Sequence, residues 1–156
     1  MTTYEIETRT LTEQDTAVEY ATVSATDIGP WLGKAFTEVA SYLERKGAGP
    51  AGMPFARCHL TGDDRFEVEA GFPASTPTAG EGDVEPSDLP GGLAAVTVHI
   101  GAYDTIGPTH EALRLWVREH GGEPVGDAWE VYLTDPATQA DPGDSRTEVV
   151  QLYRLV

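Results

Sequence analysis

The chain has 156 residues, of which 40% are apolar, and its 26 acidic against 10 basic side chains leave a net charge of −16. That length suggests one domain with a substantial core, while a field of this sign repels phosphate backbones and anionic membrane surfaces and so argues against direct binding to either. No apolar run approaches a membrane span or a signal-peptide core, and the single cysteine, Cys58, supports no disulfide framework, so a cytoplasmic location is expected.

In chain order, Tyr4 to Leu11 reads as an opening strand. A first half then follows, with a strand from Val18 to Ser24 rich in Val, Thr and Tyr. Next comes a helix in which Leu32, Phe36, Val39, Tyr42 and Leu43 recur at helical spacing. Asp27 is placed to cap that helix, Pro30 sits in its entry turn, where a missing N–H costs little, and Gly47 stops it. Two strands, Phe55 to Leu60 and Arg65 to Phe72, are joined through Thr61-Gly62-Asp63-Asp64, a hairpin turn. The stretch Pro73 to Gly92, rich in Pro, Gly, Ser and acid, reads as a mobile connector with room for one short edge strand.

The second half repeats the first. Leu32 to Leu60 aligns without a gap on Ile106 to Thr134: Gly33 falls on Gly107, Val39 on Leu113, Tyr42 on Trp116, Gly47 on Gly121, Pro50 on Pro124 and Phe55 on Trp129. A period of about half the chain is a duplicated half-domain rather than a solenoid. The strand is Ala94 to Gly101, and the helix, with Asp104 and Thr105 as cap and Pro108 at its entry, carries Ile106, His110, Leu113, Trp116, Val117 and His120 on its stripe. The strands Trp129 to Thr134 and Thr147 to Leu155 close the unit across an acidic linker, Asp135 to Ser145. The expected fold is α+β: duplicated β-α-β-β half-domains with pseudo-twofold symmetry, about 1–74 and 93–156, within a single domain. Antiparallel sheets carry the two helices on the outer face, with a ligand cleft between the halves.

Strand alternation in WEVYLTDP, Trp129 to Pro136, puts Trp129, Val131 and Leu133 on one face and Glu130, Tyr132 and Thr134 on the other. Since Phe55 is taken to meet its helix, the Trp129 face is expected against the helices and Glu130 with Tyr132 on the opposite face, toward the groove. Their counterparts in the first half, Ala56 and Cys58, are small, which leaves room for a ligand.

Four stretches together resemble the GyrI-like small-molecule-binding domain, which also forms the effector module of some AraC-type and MerR-type multidrug-sensing regulators. They are TVHIGAYDTIGPTHEAL (Thr97 to Leu113), WVREHGGEPVG (Trp116 to Gly126), WEVYLTDP, and FEVEAGFPA (Phe66 to Ala74) with LPGG at Leu89 to Gly92. The resemblance implies that Glu130 lies at the bottom of the cleft and meets cationic ligands, with Tyr132 beside it. It also implies an aromatic lining, for which Tyr103, Trp31, Phe55, Phe72 and Tyr153 are the candidates. No helix-turn-helix precedes the domain, so a free-standing form that does not read DNA itself is expected.

The function implied is promiscuous binding of bulky lipophilic aromatic cations or drugs, for sensing or sequestration. Cation–π contact contributes roughly 0.5 to 2 kcal/mol per ring, and few polar contacts mean loose selectivity. Two other readings stand beside it. One is a hydrolase opening cyclopropane rings of DNA-alkylating natural products, with Glu130 as general base and Tyr132 or Trp31 positioning the ligand. The other is an interaction protein that protects DNA gyrase. His59, His99, His110 and His120 form no metal motif; His110 and His120 fit the helix stripe and read as structural. No cofactor or metal is expected, and no nucleophile elbow, Walker loop or dinucleotide fingerprint is present.

Overall fold

The chain divides into two units, 13–90 and 1–12 with 91–156, so the opening strand, counted above with the first half, goes with the second, and most of the connector goes with the first. The computed structural model describes residues 4–62, 64–102, 105–134, 143 and 145–156. In the first unit, β2 (Gln14–Ser24) leads into α1 (Ile28–Lys46), followed by β3 (Phe55–Gly62), β4 (Arg65–Pro73) and β5 (Glu85–Leu89). Its strands lie in the order β3-β4-β2-β5, all antiparallel. The edge strand expected in the connector is β5, which pairs with β2 from Gln14↔Leu89 to Val18↔Glu85.

The second unit has the same plan. It comprises β1 (Glu7–Leu11), β6 (Gly92–Ile100), α2 (Gly107–Glu119), β7 (Gly122–Pro124), β8 (Trp129–Tyr132) and β9 (Arg146–Leu155). The order is β1-β6-β9-β8, with β7 on β9. The opening strand therefore plays for this unit the part that β5 plays for the other: a fourth, edge strand beside the strand that feeds the helix.

Each helix buries its apolar stripe on one face of its own sheet. Val39, Tyr42 and Leu43 of α1 pack with Ala17 of β2 and with Val84. Leu113 and Val117 of α2 pack with Ala95, Val149 and Tyr153. At about 25 cal/mol per Å² of apolar area removed from water, this burial is what holds each helix to its sheet. Gly47 ends α1 in the left-handed region at φ 65°, as a glycine there allows. The caps differ from expectation. Asp27 stands at the N-cap of α1 but makes no side-chain cap bond; its carboxylate accepts the Ser24 hydroxyl at 3.0 Å instead. At α2 the N-cap is Ile106, also without a side-chain bond. Thr105 Oγ1 donates to the carbonyl of Ala102 at 2.8 Å, and Asp104 lies outside the described residues.

His99, buried on β6, pins this strand-to-helix passage. Its Nδ1 meets Thr109 Oγ1 at 3.0 Å and its Nε2 meets the Ala102 carbonyl at 2.9 Å. An N–H on Nε2 satisfies the carbonyl, and Nδ1 then accepts from the threonine. Among the described residues no helix is long and apolar enough to cross a membrane.

Candidate functional site

The second unit gathers a carboxylate, an imidazole and a phenol at one point. Glu130 sits on β8 opposite Val149 of β9, and Tyr132 two residues on sits opposite Thr147. Paired residues of neighbouring strands share a face. Val149 packs against Leu113 and Val117 of α2, so Glu130 and Tyr132 face the helix. There His110, one turn before Leu113 on α2, brings its Nε2 to 2.7 Å from Glu130 Oε2, while the Tyr132 hydroxyl donates to Glu130 Oε1 at 2.9 Å. Glu130 is 6% exposed.

This corrects the sequence reading of the strand. The alternation holds, but the face is reversed: Trp129, not Glu130, is turned away from α2. The error entered through Phe55. Phe55 pairs with Gly71, which pairs with Val18. The residues that meet α1 are on the other row, where Ala17 pairs with Phe72 and Phe72 packs edge-on against Phe36 at 5.9 Å. Both rows are apolar and buried, with Val18, Ala17 and Phe55 each at most 1% exposed. Periodicity separates two such faces but cannot say which of them a helix covers.

The arrangement has clear chemical consequences. A carboxylate taken out of water needs hydrogen-bond donors or a counter-charge. Glu130 has a donor on each oxygen, and neither group carries a permanent charge. The pair of bonds fixes the rotamer of the carboxylate, so it is held in place before any ligand arrives.

The other expected lining residues are placed as follows. Trp31 is half-buried in the first unit, near the start of α1, where it lines a cavity with Glu19 and Lys34. Phe55 and Phe72 also belong to the first unit, Phe55 in its interior and Phe72 against α1. Tyr153 is buried in the second unit, packed edge-on to Trp116 at 6.2 Å. Tyr103 lies outside the described residues. His110, read from sequence as structural, is the functional candidate that was missed. The signal was available: its counterpart in the repeat is Phe36, and an imidazole replacing a half-buried ring on a helix stripe calls for a polar partner. His120 does stay structural, stacked on Trp116 at 4.0 Å.

The sequence matches the GyrI-like small molecule binding domain over residues 4–151. No curated protein matches it. Among solved structures, that of EcmrR in a complex with DNA is 17% identical with a TM-score of 0.82, over 98% of this chain; the chain spans 58% of EcmrR. The C-terminal domain of EcmrR alone is matched over 98% of this chain and 99% of that domain, at 17% identity and a TM-score of 0.73. SAV2435 bound to tetraphenylphosphonium is 12% identical with a TM-score of 0.67, over 96% of this chain and 94% of that one. At such identities the structural likeness establishes the α+β fold, and the match along nearly the whole sequence establishes more: the chain belongs to the GyrI-like small molecule binding domain family.

Proposed function

We propose that this protein binds bulky lipophilic aromatic cations, for sensing or sequestration, and that Glu130 is the anionic contact. The observation that carries the reading is a buried carboxylate held on both oxygens by His110 and Tyr132. Family membership supports a small-molecule ligand, and SAV2435, of similar fold, was solved with a lipophilic cation. A desolvated carboxylate attracts a delocalised cation more strongly than a hydrated one does, because the low local dielectric strengthens the pair. A ring such as that of Tyr132 adds a face on which such a cation can rest. Neutral or anionic analogues of the same shape gain only the apolar part.

Titration of rhodamine 6G followed by fluorescence polarisation tests this. Binding in the micromolar range is expected, roughly −7 to −8 kcal/mol. Glu130→Gln keeps the shape and the hydrogen-bonding oxygen but loses the charge, and it should weaken binding about tenfold or more, roughly 1.4 kcal/mol. Equal affinity in the variant would remove Glu130 from the site.

A further inference from the structure

A second buried carboxylate, Glu19 on β2, lies in the unit formed by residues 13–90 and has no part in the site above. It is 3% exposed and faces α1, where Lys34 and Glu38, one turn apart, pair with each other at 2.9 Å. Its Oε2 is buried with no hydrogen-bond partner, which is unusual for a group whose desolvation is so costly. Glu19 opens on a cavity of about 370 Å³ with largely polar walls, shared with Tyr20, Trp31, Lys34, Asp83 and Glu85.

The rim of that cavity is held in place. Glu81 and Val84 bond to each other in both directions across the turn at 2.9 and 3.0 Å. Arg45 of α1 pairs with Glu81 at 2.8 Å, and Val84 is buried in the core beside α1. Three carboxylates against one ammonium make the cavity anionic, and that ammonium is already engaged by Glu38.

We propose that this cavity is a second binding site, for a small cation bearing a guanidinium group, with Glu19 Oε2 as the buried acceptor. A planar fork of N–H donors would have Glu19, Asp83 and Glu85, which line the same cavity, as acceptors, and the indole of Trp31 suits a flat, weakly hydrated cation. The requirement for N–H donors separates this site from the one at Glu130, where a phosphonium, which has none, suffices. The two proposals are therefore independent.

Burial first, then the hydrogen bond and repulsion from Glu38, with Asp83 adding to them and Lys34 opposing, lift the Glu19 carboxyl to about 7. At neutral pH it is partly protonated, and an arriving cation drives that proton off.

Isothermal titration calorimetry of the full chain with agmatine at pH 7 is the test. One saturable event is expected, its heat varying with the ionisation enthalpy of the buffer because a proton is released. Saturating tetraphenylphosphonium should leave it in place. Glu19→Gln should weaken it by about tenfold or more, with circular dichroism confirming the fold. Asp83→Asn, an exposed change on the rim, should weaken it by about threefold, and it stands as the deciding variant if Glu19→Gln does not fold. The proposal is overturned if wild-type protein binds no agmatine, since the contact with Glu38 then serves Glu19 internally. It is equally overturned if neither variant changes the affinity, since the attraction is then the diffuse one of an acidic surface.

Discussion

The two units share a plan and differ in where they bury negative charge. In each, one row of paired residues crosses three strands beneath the helix. In the first unit the row is Glu19–Ala70–Ala56, and in the second it is Thr97–Val149–Glu130. A carboxylate stands at one end of the first row and at the opposite end of the second. Glu130 is met by His110 and Tyr132, where the repeat of the first unit has Phe36 and Cys58. Thr97, in the place of Glu19, spends its hydroxyl on the Glu5 carbonyl at 2.8 Å, while Glu19 keeps an unpartnered oxygen beside a second carboxylate. Duplication preserved the frame, and polar substitutions on one row of each copy made two different electrostatic environments from it.

The frame itself can be tested where the copies use different residues for one position. On the row facing away from the helices, Val18–Gly71–Phe55 corresponds to Val96–Val150–Trp129. A Cβ on Gly71 would stand 1.9 Å from the Ala17 carbonyl oxygen, a backbone atom that cannot swing aside. Gly71→Ala should therefore lower stability by about 3 kcal/mol, at the upper end of overpacking costs. Val150→Ala removes two methyls instead and should cost less, about 1 to 2 kcal/mol. Urea denaturation of both variants decides the order; a harmless Gly71→Ala would mean that the close approach of β4 to β2 relaxes.

The unsatisfied carboxylate predicts an unusual dependence on pH. The folded-state value of Glu19 is raised from 4.5 to about 7, so between those limits the folded protein binds a proton that the unfolded chain has released. Its contribution is fully present below pH 4.5 and is lost as pH rises through 7. Glu38 moves in the opposite direction through its bonds to Lys34 and Glu19, so its contribution builds up below its ordinary value of 4.5 and is constant over the range where that of Glu19 is lost. A net decline on the order of 2 kcal/mol between pH 5 and pH 8 is expected. Glu19→Gln, which cannot titrate, should flatten the curve relative to wild type, and parallel curves for the two proteins would show that Glu19 stays ionised throughout.

Much of this architecture was legible in the sequence. The ungapped register of Leu32 to Leu60 on Ile106 to Thr134 exposed the duplication, and helical and strand periods placed α1, α2, β3 and β8 close to their observed bounds. Missing from it was the direction of the faces, because Val18 and Phe55 on one side are as apolar as Ala17 and Phe72 on the other. Also missing was the partnership of β1 with β6, a pairing far apart in sequence that no local pattern encodes. The site was half legible. Glu130 and Tyr132 stood out by resemblance, whereas His110 was hidden by fitting an apolar stripe, and nothing in the strand Val18 to Ser24 singled out Glu19.

Converting one copy toward the other asks whether the Glu130 cluster contributes to stability or is retained for the ligand. His110→Phe gives α2 the residue found at the matching place in α1, but it takes one donor from a buried carboxylate. It should cost about 1.5 kcal/mol, the worth of a hydrogen bond to a charged group. Adding Glu130→Ala, to match Ala56, removes the charge that needed the donor, and replacing both partners by apolar groups is close to neutral. The double variant should then recover most of the stability lost by the single one, while binding no rhodamine 6G. A double-mutant cycle by urea denaturation reads the coupling directly. If the two losses simply add, the histidine and the carboxylate act separately and the short contact between them has no energetic weight. If they cancel, the cluster is dispensable to the fold, and ligand binding is the reason left for burying an acid there.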